Sequence, residues 1–117
     1  MSTQPIAASR TAFKIAWITL LGIAGLATIS HAVLIFVMAG EETLFIGWAA
    51  YTAYAAVVIW LPFRRGERWA WYATWMLVLG FASLVFFDAT IGIAYLLAAG
   101  VMAGCLILAR GAFFAND

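Results

Sequence analysis

The sequence predicts an all-α integral membrane protein, a four-helix bundle built from two transmembrane hairpins. Composition, the spacing of the charges and their segregation to one side or the other predict it. Of 117 residues, 68% are hydrophobic and 9% are charged, and the mean hydropathy is +1.08. Soluble domains carry roughly 25% charged residues. A chain this short has too little interior to shelter so much apolar side chain from water, so lipid has to solvate the remainder. His31 aside, four stretches are free of charge: residues 15–40, 43–63, 69–87 and 89–109. About 20 apolar residues rising 1.5 Å each cross the roughly 30 Å hydrocarbon core, and all four stretches reach that length, the third only just. They lack the polar–apolar alternation of a membrane β-barrel.

The expected helices cover residues 11–39, 44–60, 67–87 and 90–110, within one membrane domain over residues 1–117. Residues 1–9 are small and polar and read as unstructured or as a short surface segment. The first hydrophobic stretch is too long for a cleaved leader and reads as an anchor. Thr43 is the expected cap of the second helix. Pro62 lacks an amide donor and restricts Leu61, which should stop that helix. Between residues 69 and 109 the only charge is Asp88. A single helix there would be about 60 Å long, so a turn near Asp88 is expected, with Gly92 relieving it and Asp88 or Thr90 capping the fourth helix. Gly111 suits a helix stop, leaving residues 112–117 along the membrane surface. Gly22 and Gly25 on the first helix and Gly100 and Gly104 on the fourth are small residues of the kind that let membrane helices approach closely, within the chain or between copies.

With four spans, Arg10, Lys14, Arg64, Arg65, Arg68 and Arg110 share one side, while Glu41, Glu42 and Asp88 share the other. Glu67 sits among the arginines. Short loops rich in Lys and Arg stay cytoplasmic, which puts both termini and the 64–68 loop inside. An odd number of spans would destroy this separation. Aromatic residues agree: Trp17, Trp60, Phe63, Trp69, Trp71, Tyr72 and Trp75 fall near the inner boundary and Trp48, Phe86 and Phe87 near the outer one, as belts anchoring the spans at headgroup level.

Few residues offer chemistry. His31 is the one histidine and lies about 12 Å below the outer end of the first helix. Tyr51 and Tyr95 come to a similar depth on the second and fourth helices, and Ser83 somewhat shallower on the third. Glu41, Glu42 and Asp88 stand at the rim above. Two readings are open: His31 locks packing through a hydrogen bond, or these seven residues form an outward-opening pocket in which His31 binds a ligand or handles protons. His31 with the carboxylates lacks the i,i+3 or i,i+4 ligand spacing of a metal site. Cys105 has no partner cysteine and reads as a small buried apolar residue. No catalytic signature is assembled, and no cofactor and no nucleic-acid partner is expected. The basic segment, with Arg64, Arg65, Arg68, Trp69, Trp71 and Tyr72, is suited to anionic lipid at the inner face or to a protein partner.

The segment Arg64-Arg65-Gly66-Glu67-Arg68-Trp69-Ala70-Trp71-Tyr72 resembles a loop of small four-helix bacterial membrane proteins, some of them grouped as DoxX-like. The resemblance implies the same four-helix shape in a bacterial inner membrane and carries no reaction. The chain is also similar in size to small multidrug transporters. Their first helix holds an essential embedded glutamate where this one offers only His31, which argues against cation antiport. The functions expected are an accessory or regulatory subunit of a membrane complex, bound to a partner or to a second copy, or a small transporter or binder of an apolar or cationic ligand near His31. An enzyme is the least supported.

Overall fold

A computed structural model describes residues 4–114, with side chains from Arg10 onward. Each described element is helical: α1 (Gln4–Val37), α2 (Glu42–Val58) with a π-helical turn at Ile59–Phe63, α3 (Arg68–Ser83) with a 3-10 turn at Leu84–Phe86, and α4 (Ala89–Phe114). Four segments within them are long and apolar enough to cross a membrane: Arg10–Val37, Glu42–Phe63, Arg68–Phe86 and Ala89–Phe114. The expected four-helix fold is therefore the fold observed, with every backbone amide between the turns able to bond within its own helix, as hydrocarbon demands.

Several boundaries differ from expectation, each for a local reason. α1 begins at Gln4 rather than near residue 11. Pro5 falls in its first turn, where an amide has no helical acceptor to lose. At 34 residues α1 is roughly 50 Å long, so it outruns the hydrocarbon core. Pro62 does not end the second helix. The chain widens there into a single π-helical turn, with the Arg64 amide donating to the Ile59 carbonyl (3.1 Å) and the Glu67 amide to the Pro62 carbonyl (3.0 Å). Widening accommodates the missing donor. Gly111 does not stop α4, which runs on to Phe114; residues 115–117 of the expected surface tail lie outside the described residues, as do residues 1–3.

The turns are built from glycine and carboxylates. Gly40 (φ +90°) and Gly66 (φ +80°) take left-handed backbone conformations that cost other residues steric energy. Thr43 does not cap α2, because the helix already starts at Glu42 and shows no side-chain cap. Instead the Glu42 carboxylate reaches back to accept from the Gly40 amide (2.9 and 3.1 Å). Asp88 does cap α4: its Oδ1 accepts from the Thr90 and Ile91 amides at 3.0 and 3.2 Å, satisfying donors that the first turn leaves open.

Gly92 acts differently from expectation. It lies inside the first turn of α4 and is buried. A Cβ there would strike the Val85 backbone, with Val85 N at 2.7 Å and the Leu84 carbonyl carbon at 2.9 Å. Its hydrogen lets α4 fold tightly back on the 3-10 turn that precedes it, so the residue serves close approach rather than turn geometry.

The helices pack in the order α2, α1, α4, α3: each hairpin is closed on itself, α1 against α4 joins the two hairpins, and α2 and α3 meet only sparsely. The interior is filled in three tiers. At the end carrying the arginines, Phe13, Phe63 and Phe113 form a ring cluster, with centroids 4.8 to 6.0 Å apart. Phe63 is wholly buried, so it belongs to the core and not to the aromatic belt. The middle tier is thin: Ala24 and Ala99 are buried, and the Thr28 and Thr52 hydroxyls lie 3.0 Å apart across α1 and α2. A second aromatic cluster fills the end carrying the carboxylates. Replacing Gly92 by Ala is expected to force α4 off the Val85 backbone and to destabilise the protein by about 1 to 3 kcal/mol, read as a lower unfolding midpoint in detergent.

Candidate functional site

All four helices contribute to the cluster at the carboxylate end. His31 from α1 is 2% exposed. Its Nε2 lies 2.9 Å from the Tyr95 hydroxyl of α4, and its ring stacks on Trp48 (5.5 Å), Tyr95 (6.2 Å) and Phe45 (6.3 Å). Phe81 of α3 closes the far side, edge-on to Tyr95 at 5.1 Å and to Trp48 at 6.3 Å. Such edge and offset contacts add about 0.5 to 1.5 kcal/mol each beyond area burial. The Nδ1 of His31 is the buried side-chain polar atom that, among the described residues, lacks a hydrogen-bond partner.

Tyr51 and Ser83 are brought to a different place. Tyr51 points from α2 across to α3, where its hydroxyl donates to the Met76 carbonyl at 2.5 Å. The phenol rests where a side chain on Gly80 would be: a Cβ there would collide with the Tyr51 hydroxyl and stand 3.1 Å from its Cζ. Ser83 bonds back to the Gly80 carbonyl of its own helix at 2.8 Å. Both residues border a lateral groove of about 650 Å³ between α2 and α3, whose other walls include Gly47, Trp48, Met76 and Leu79. Below the Tyr51–Met76 bond the groove continues as a narrower cleft of about 230 Å³ lined by Ala55, Val58, Ala73 and Leu77.

Trp48 therefore has two faces. One stacks on His31, and its edge contact with Tyr51 (5.6 Å, near perpendicular) borders the groove. The indole stands between the histidine and the open side of the bundle. Sequence reasoning placed Trp48 in the outer belt. The available signal was its spacing: Phe45, Trp48 and Thr52 fall three to four residues apart, on one face of α2.

The three carboxylates remain at the rim. Glu41 and Glu42 are exposed at the α1–α2 turn and Asp88 at the start of α4, where Glu42 and Asp88 serve the backbone bonds described above. Of the seven residues expected to form one pocket, His31 and Tyr95 pair directly, Tyr51 and Ser83 line the groove, and Glu41, Glu42 and Asp88 mark the chain turns. Among the described residues no three His, Cys, Asp or Glu side chains converge. Cys105 is a buried free thiol.

At the opposite end the basic segment is held in place by aromatics. Arg64 donates from Nε to the Trp60 carbonyl (3.0 Å) and lies over the Trp60 ring (4.3 Å) and the Trp17 ring (5.7 Å). Arg65 approaches Glu67 at 4.0 Å with both side chains exposed, a weak pair in that setting. Glu67 also accepts from Trp69 Nε1 (3.0 Å). Arg68 Nε donates to the Phe113 carbonyl (3.1 Å), and Trp71 Nε1 donates to the Leu106 carbonyl (2.9 Å), so α3 is stitched to α4. Tyr72 is exposed and packs edge-on to Phe114 at 5.8 Å.

Gly22, Gly25, Gly100 and Gly104 do not mediate close packing inside the chain, since a Cβ at any of them would meet nothing within 4 Å. Close approach falls to Gly80 and Gly92, whose neighbours come from tertiary contact rather than from a Gly-x-x-x-Gly pattern. No protein-family model matches the chain, and no curated protein or solved structure shows significant similarity to it.

Tyr95→Phe is expected to remove the partner of His31 Nε2 while preserving the ring stack. The cost should be about 0.6 to 1.7 kcal/mol, the span found for interhelical hydrogen bonds in membranes, measured by reversible unfolding in mixed micelles.

Proposed function

We propose that this small integral membrane protein is an accessory or regulatory subunit of a membrane complex and that it receives a transmembrane helix of its partner between α2 and α3. The observation that carries this reading is the open groove: two consecutive helices that meet only sparsely, with Gly47, Ala55 and Ala73 leaving room at its walls. Inside a bilayer no hydrophobic force drives helices together. Van der Waals fit against small residues does, and a bundle that leaves such a face unfilled suits a partner helix. The resemblance of residues 64–72 to small four-helix membrane proteins grouped as DoxX-like belongs to this proposal as support for shape, without supplying a reaction.

The orientation proposed is cytoplasmic for both termini and for the arginine-bearing loop, in a bacterial inner membrane, with the Glu41–Glu42 turn and Asp88 on the outer side. The warrant is the Lys and Arg asymmetry. A second reading, a binder of a small apolar or cationic ligand near His31, is favoured by the unpaired Nδ1 of that residue. It requires Trp48 to swing aside, since the indole separates His31 from the groove.

Purification in a mild detergent followed by mass spectrometry should recover a stoichiometric membrane partner. Gly47→Leu fills the groove with a side chain that meets no neighbour in the chain at its Cβ. It should cut recovery about tenfold, equivalent to ~1.4 kcal/mol, without lowering the unfolding midpoint of the isolated protein. Full recovery with the variant would defeat the proposal. In intact cells, impermeant reagents should label a cysteine placed at Glu41 and leave tags at both termini untouched. Labelling of either terminus would reverse the topology.

A further inference from the structure

A pocket of about 490 Å³ lies at the basic end, where α3 starts and α4 finishes, lined by Arg68, Trp71, Tyr72, Arg110 and Phe114. Unlike the α2–α3 groove, it is organised around charge. The guanidinium of Arg68 sits 5.3 Å from the centroid of the Phe114 ring and that of Arg110 sits 5.5 Å from the same ring. Arg68 is fixed in direction by its Nε bond to the Phe113 carbonyl. Trp71 and Tyr72 stand edge-on to Phe114 at 5.3 and 5.8 Å. Two like charges are thus gathered on one aromatic floor, and among the described residues no carboxylate lies within ion-pair distance of Arg110.

Position sharpens the chemistry. The span Ala89–Phe114 ends one turn beyond Arg110, so the guanidinium sits where an apolar helix leaves the hydrocarbon, at headgroup depth. Phosphate is the abundant anion there, and the arginine fork matches its geometry. One turn deeper on the same faces, by helical spacing, are Trp75 and the exposed Ile107, which continue as apolar surface along the α3–α4 seam. Charged groups above and a greasy seam below have the polarity of a phospholipid.

We propose that this pocket is a binding site for an anionic phospholipid, with Arg110 holding the headgroup phosphate, Arg68 forming the adjoining wall, and an acyl chain lying along the α3–α4 seam. An anionic lipid is the occupant because a zwitterionic one brings its own ammonium group to oppose the Arg110 guanidinium. The site needs only that the protein spans a bilayer. It is independent of the accessory-subunit reading, and a test on the isolated protein separates the two.

Purified protein in neutral-detergent micelles is offered phosphatidylglycerol or phosphatidylcholine, bound lipids are counted by native mass spectrometry, and the unfolding midpoint is followed in parallel. Phosphatidylglycerol should be retained and should raise the midpoint; phosphatidylcholine should do neither to the same degree. Arg110→Gln should weaken retention about fivefold, the contribution of one basic residue near an anionic surface. Arg110→Lys, which keeps the charge and loses the fork, should fall between. Arg10→Gln removes the same charge from the same end outside the pocket and should change retention by less than about twofold. Equal losses in Arg110→Gln and Arg10→Gln would reduce the effect to diffuse attraction and overturn the site. So would equal retention of the two lipids. Inorganic phosphate that raises the midpoint as much as phosphatidylglycerol would assign the pocket to a soluble anion instead. If Arg110→Gln does not fold without lipid, Arg110→Lys compared with Arg10→Lys decides by the same criterion.

Discussion

Hydrocarbon offers a peptide group no water to bond with, and the architecture follows from that constraint. Each crossing must be helical from one headgroup layer to the other, so interruptions are confined to the ends. Where proline removes a donor near one end, the helix does not break. It widens by one π-helical turn, which keeps the neighbouring carbonyls paired. Where the third span is barely long enough, it finishes in a 3-10 turn, and Asp88 takes up the amides that the next helix leaves open.

The same solvent removes the usual force for packing. Leucine gains nothing by leaving lipid for a neighbouring helix, so association depends on fit and on polar contacts. This protein uses rings at both ends of the bundle and small residues between them. Phe13, Phe63 and Phe113 close one end. His31, Trp48, Phe81 and Tyr95 close the other. Side chains bonded to backbone carbonyls of other helices, such as Trp71 to Leu106 and Tyr51 to Met76, tie the pieces where rings are absent. In this setting the His31–Tyr95 bond joins α1 to α4 inside the ring cluster.

Lateral asymmetry is the feature with most bearing on function. Three of the four neighbouring helix pairs are closed, and the fourth, α2 with α3, meets only sparsely, bridged where the Tyr51 phenol lodges against Gly80 and bonds to Met76. The charge asymmetry runs at right angles to it. Every basic residue falls at one end of the spans, and Arg64, Arg68 and Arg110 there lie over aromatic faces. Cations placed on rings have less rotational freedom left to lose on meeting an anion.

Membrane residence, four spans and the grouping of basic residues at one end were determined by the sequence alone, because length and hydropathy act residue by residue and need no partner to be evaluated. Asp88 as a cap was legible for the same reason, since capping is decided within four residues. Tertiary structure alone decided which helices touch, and with that the fate of each candidate residue. His31 and Tyr95 are 64 residues apart and meet. Tyr51, at a similar depth, turns to the opposite side and opens a groove with Ser83. Gly22, Gly25, Gly100 and Gly104 look like packing residues and pack nothing within the chain, while Gly80 and Gly92 do. Depth in a membrane helix is a matter of counting, but azimuth is set by neighbours. In a chain whose helices are apolar all around, no hydrophobic stripe betrays which way a side chain faces.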